Sequence, residues 1–185
     1  MNVPEITHLS IADIHEDELV QRLLSDPLWR VDMFELHGIP KGMLDKQKVL
    51  LETAPGHFKG DVDVLLCAPD HPGEAVAFEV KKIKFGISAL RAGGRPNKLK
   101  EFDKAIQQAN RLAQVGFWQV YLYVIVAVDA REQNAGRHSY QGLSSELKSL
   151  VASVITPQGL NARVGLCNLE FTQPMDYAPL TVGAR

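Results

Sequence analysis

The chain has 185 residues, 45% of them hydrophobic and 23% charged, with a formal net charge of −2. These values are those of an ordinary globular domain and exclude a disordered chain, a collagen-like fibre and a coiled coil. The charge balance also excludes a general polyanion binder, which would carry a basic excess. Length predicts a single domain over 1–185, with its core at about 10–171 and an irregular tail at 172–185. Cys67 and Cys167 form no CxxC pair and have no zinc-type spacing with histidine, so they read as buried thiols of a reducing cytoplasm. Residues 1–5 show no secretory leader pattern. The longest apolar run, Val120 to Val128, is nine residues, about half of what a membrane-spanning helix needs, so no membrane partner is expected.

Ser10 and Asp13 are candidate caps for a first helix, in which Leu19, Val20, Leu23 and Leu24 recur at helical spacing until Asp26-Pro27. Residues 29–37 alternate weakly and allow an extended segment. Lys48 to Thr53 reads as a short strand closed by Pro55-Gly56. Asp61 to Cys67 reads as a strand, the stretch from Ala68 to Gly73 as a turn, and Ala75 to Ile83 as the returning strand of a hairpin. Phe85 to Pro96 is a glycine-rich basic loop. Leu99, Phe102, Ala105, Ile106, Ala109, Leu112 and Ala113 mark a long amphipathic helix, with Gly116 at the position of a helix-ending glycine. Trp118 to Val128 is a strand apolar on both faces, which calls for cover on both sides. Asp129 to Gly142 is a polar loop. Ser144 to Ile155 is a further helix, and Ala162 to Phe171 a last strand. This order predicts an α/β domain with a mixed central β-sheet flanked by α-helices, and a parallel, right-handed crossover after the hairpin.

The chemistry concentrates between Gly60 and Lys81. Residues two apart on a strand share a face. Asp61 and Asp63 therefore share one face of the first hairpin strand, and Glu79 and Lys81 one face of the second. All interrupt apolar strands, where an unpartnered charge is costly. A divalent cation would offset that cost. Mg²⁺ (or Mn²⁺) takes one or two carboxylates plus water and phosphate, and Asp63 and Glu79 would supply them. Lys81 beside the ion would act on an attacking water or stabilise phosphate charge. Such a set suits metal-assisted phosphodiester hydrolysis.

The run Gly60-Asp61-Val62-Asp63-Val64-Leu65-Leu66, followed by Phe78-Glu79-Val80-Lys81, resembles the motif of the PD-(D/E)XK nucleases: an Asp opening a strand, then a hairpin to Glu-x-Lys. The resemblance covers about residues 10–130, through the following helix and apolar strand. Val62 stands where the nominal proline would be. The resemblance implies a restriction-endonuclease-like core with Asp63 as the acidic ligand, Asp61 being the alternative. It also implies a glutamine on the helix after the hairpin, Gln108 with Gln107 as alternative, and an acidic residue on the first helix. Glu16 fits that last role better than Glu18, because Leu19 and Val20 lie three and four residues on.

Charge is unevenly spread. Between Lys81 and Lys104 the chain carries +6, and the remainder carries −8. Lys82, Lys84, Arg91, Arg95 and Lys98 follow the candidate site on a glycine-containing loop and are the expected phosphate contacts. The expected partner is nucleic acid, with DNA favoured over RNA; no base-reading module is evident. A chain of this size leaves no room for a separate recognition domain, so a homodimer or partner protein is expected to complete recognition. The alternative is a catalytically inactive nuclease fold serving as a binding or assembly module.

Overall fold

The computed structural model describes residues 13–25, 44–51, 60–68, 70–93, 99–129, 145–173 and 181–184. In chain order the elements are α1 (Glu16–Ser25), β1 (Leu44–Leu51), β2 (Gly60–Ala68), β3 (His71–Gly86), α2 (Ile87–Arg91), α3 (Leu99–Val115), β4 (Gln119–Asp129), α4 (Ser145–Val154), β5 (Val164–Gln173) and β6 (Thr181–Ala184). The six strands among the described residues form one mixed sheet whose spatial order is the chain order, β1 to β6. β1–β2–β3 and β5–β6 are antiparallel. β3, β4 and β5 are parallel, linked through α2–α3 and through α4. The α/β class, the mixed sheet and the parallel join after the hairpin are as the element order predicts.

Helices cover both faces. On one side α1 packs Leu19, Val20, Leu23 and Leu24 against Val64, Leu66, Phe78, Val80, Tyr123 and Ile125. On the other, α2, α3 and α4 pack against Ala77, Ile83, Phe85, Val120, Leu122, Val124 and Val126. The central strand β4 thus sends even-numbered residues to one core and odd-numbered residues to the other, which is why its sequence is continuously apolar. Phe78 stacks on Tyr121 at 5.3 Å and meets Tyr123 edge-on at 6.0 Å between ring centres. Gly165, beside Tyr121 in the register, lets that ring lie flat: a Cβ there would stand 2.4 Å from a ring carbon. Gly116 ends α3 at φ +104°, a conformation that side chains disfavour.

The structure corrects several expectations. β3 begins at His71 and ends at Gly86, so Pro72-Gly73 belongs to the strand and the hairpin turn is tighter than its composition suggests. Part of the glycine-rich loop is helical, because Ile87 and Leu90 bury one turn apart and fix α2. The tail is not wholly irregular: Thr172 and Gln173 extend β5, and 181–184 pair with it as β6. Backbone pairing, which leaves no side-chain period, carries that last strand. β1 begins at Leu44, four residues ahead of expectation. Both cysteines are free and half-buried rather than fully buried. Burial pushes the Cys167 thiol up to about 12. The extended segment expected at 29–37 lies outside the described residues. No helix among the described residues is long and apolar enough to cross a membrane.

Candidate active site

The site is built on a fork in the sheet. β2 and β3 pair from Ala68↔His71 to Val64↔Phe78, with an irregularity between Leu66 and Ala68. Beyond Val64 and Phe78 the ladder between them stops. β1 stays beside β2 as far as Gly60, and β4 stays beside β3 as far as Gly86. The two strands part where the acidic motif begins.

Parting leaves main-chain N–H groups of β3 without their strand partner, and buried N–H groups must be satisfied. Carboxylates do this. The Val80 N–H donates to Asp63 Oδ2 at 2.7 Å, and the Lys82 N–H donates to Glu16 Oε2 at 2.5 Å. Asp63 thus spans the fork, and Glu16, in the first turn of α1, closes its open side. Glu16 Oε1 also accepts from the Lys81 ammonium at 3.3 Å. Glu101, on α3, places a carboxylate oxygen 3.9 Å from the same ammonium.

Glu79 is the central group. Its register neighbours place it on the face of α3, between Ala77 and Ile83. It is only 4% exposed, and its Oε2 has no hydrogen-bond partner among the described residues. Burial and then the neighbouring Asp63 and Asp61 carboxylates push its pKa up to about 9; Lys81 pulls the other way and Glu16 adds to the rise. At neutral pH the free protein therefore holds Glu79 protonated, in a site whose other acidic groups accept hydrogen bonds or face solvent. No group of three or more His, Cys, Asp and Glu side chains among the described residues forms a ready metal cage.

The sequence-derived residues fall into three groups. Asp63, Glu79, Lys81 and Glu16 come together, with Asp61 close enough to act on Glu79 electrostatically. Glu18 instead pairs with Arg22 on the surface. Gln108 is half-buried on α3, seven residues past Glu101, roughly 10 Å further along the helix, and makes none of the hydrogen bonds of the fork. Gln107 is exposed. The basic set is spread over several surroundings. Lys82 lies on the opposite face of β3 from Lys81, is 5% exposed, and donates its ammonium to the Ile14 carbonyl. A strand alternates its faces, and Lys82 falls on the α1 side. Lys84 pairs with Asp13 at 2.9 Å and Arg91 approaches Glu146 at 3.5 Å, so acidic neighbours offset both. Arg95 and Lys98 lie outside the described residues.

Sequence reasoning missed Glu101. It sits among lysines in the basic window, and only the packing of α3 on β3 brings it to Lys81. It also missed the cavity of about 340 Å³ beside the fork, lined by residues 13–17 together with Lys81, Lys82 and Lys84. Searches against family models, curated proteins and solved structures return no match for this chain.

Proposed function

We propose that the chain is a metal-dependent nuclease of the PD-(D/E)XK type, hydrolysing phosphodiester bonds in DNA. The observation that carries the reading is Glu79: a carboxyl buried beside two aspartates with an oxygen that nothing among the described residues satisfies. A carboxyl so placed is stable only as the neutral acid or against a cation. The residues fit Mg²⁺ (or Mn²⁺), which accepts two carboxylates and completes its shell with water and phosphate. Asp63 and Glu79 would hold it. Bound there, the ion would supply Lewis-acid stabilisation of the phosphate and an activated water. The restriction-endonuclease-like core belongs to the same proposal, supported by the run of α1, three strands, α3 and β4 with the Asp and Glu-x-Lys on facing strands of the hairpin.

The protein's own groups do the rest. Asp63 holds the fork at one width through the Val80 N–H. Lys81, held by Glu16, carries a positive charge at the mouth of the fork, where it can donate to a non-bridging phosphate oxygen or to the attacking water. Gln108, half-buried on α3, would assist from the helix side. The expected result is Mg²⁺-dependent cutting of duplex, single-stranded or branched DNA that Glu79→Ala and Lys81→Ala abolish. Every nucleic acid substrate left intact would refute it.

A second reading is a nuclease fold without activity, used to bind nucleic acid or a partner. The pairing of Lys81, Lys84 and Arg91 with acidic groups favours it, because these cations are already partly neutralised. Calorimetry separates the two: an active site binds Mn²⁺ through Asp63 and Glu79, so Asp63→Asn and Glu79→Gln each weaken the heat signal.

A further inference from the structure

Glu79 and Lys82 are the two charged side chains buried among the described residues, and the proposed hydrolysis uses only the first. A buried ammonium costs several kcal/mol unless the protein supplies acceptors. Lys82 finds one in the Ile14 carbonyl, just ahead of α1. Ile14 is itself a core residue, packed in the cluster that holds α1 on the sheet. Two residues on, Glu16 accepts the main-chain N–H of the same Lys82. One residue of β3 thus grips the 14–16 segment at both ends, by its side chain and by its backbone. The remaining oxygen of Glu16 is then presented to Lys81.

We propose that Lys82 is a positioning residue: its two-point clamp on residues 14–16 sets the Glu16 carboxylate against the Lys81 ammonium and aims that ammonium at the fork. The kinetic half of the inference rests on the nuclease reading; the structural half does not. Lys84 provides the contrast. It reaches the same segment through Asp13, but that pair is exposed, with each side chain 41% accessible, and such pairs hold little. The clamp therefore comes from the buried contact and not from the general attraction of a basic strand for an acidic helix start.

The test compares Lys82→Met with Lys84→Met in the full chain. In backbone hydrogen exchange, Lys82→Met should speed exchange about tenfold or more at the Lys82 N–H and at the Leu19 N–H, which donates to His15. Amides of β4 should stay within about twofold of wild type, and Lys84→Met should move none of them. In DNA cleavage, Lys82→Met should lower kcat about tenfold with KM little changed, since it removes no substrate contact. In a Glu16→Gln background the same substitution should cost almost nothing more. An unchanged Lys82 N–H, rate losses that multiply in the double variant, or a raised KM at unchanged kcat would each overturn the clamp. Where Lys82→Met does not fold, Lys82→Gln, which keeps a donor, makes the same comparison. A wild-type protein that cuts nothing refutes the nuclease reading, and the exchange data then decide the clamp alone.

Discussion

Replacing Glu79 by glutamine should stabilise the protein, and increasingly so as pH rises. Glutamine has the shape of the neutral carboxylic acid and cannot ionise. In the unfolded chain Glu79 loses its proton near its ordinary value of 4.5, whereas in the folded protein it keeps it up to about 9. Below the lower value both states are protonated and the group contributes no pH dependence. Between the two values the unfolded state binds fewer protons, so wild-type stability falls with pH, by up to about 1.4 kcal/mol per unit. From pH 5 to pH 8 that accumulates to at most about 4 kcal/mol, a large share of a typical domain's 5–15 kcal/mol. Water entering the fork or a slight opening of β3 would relieve part of it, so the figure is a ceiling. Urea unfolding in EDTA at pH 5, 6, 7 and 8 measures the effect as the stability of Glu79→Gln minus that of wild type. The difference should widen at each step. A difference that stays flat, or narrows, would show that Glu79 ionises normally and would remove the reason for placing a cation at the fork. Added Mg²⁺ should close the gap from the wild-type side, because a ligand of the folded state stabilises by mass action.

Other consequences follow from the same geometry. Asp63→Asn keeps an acceptor for the Val80 N–H but removes a charge beside Glu79, so the pH slope of wild type should shrink; Asp63→Ala should in addition cost about 1–3 kcal/mol in unfolding, for the orphaned N–H. Gly165→Val drives a side chain into the Tyr121 ring, itself held by Phe78, and should cost about 1–3 kcal/mol in thermal unfolding, most of it recovered in combination with Tyr121→Ala. Phe78→Ala empties the centre of the α1-side core and should cost about 3–5 kcal/mol by urea unfolding. Lys84→Ala, breaking an exposed pair, should change stability by less than about 1 kcal/mol, and less still in high salt.

Much of the fold was legible because its core elements carry strong periods. The α3 stripe and the continuous apolar run of β4 each allow one placement only, and the hairpin follows from β-branched strands either side of a turn. Asp63, Glu79 and Lys81 were legible for the same reason: a charge inside an apolar strand has a cost that must be met. What the sequence hides depends on partners far away in the chain. Lys82 differs from Lys81 and Lys84 only in which face of β3 it takes and what covers that face, and α1 is more than fifty residues away. Glu101 looks like a counter-charge within a basic run until α3 docks. β6 has too few residues to show a period, and α2 is a single short turn fixed by two buried side chains.

The strand order has its own bearing on how the molecule assembles. Each strand lies next to its chain neighbour, but the two parallel pairings join distant residues, Val76 with Gln119 and Val120 with Val164, so these closures carry the larger entropy cost. No strand must be threaded between two others already in place. The sheet can grow outward from β3 and β4, one edge at a time, with the parallel joins of β3, β4 and β5 as the slow closures. The last strand to join on one side is β6. Its removal would strip a single row of backbone bonds from β5 and leave the fork, on the far side of β4, untouched.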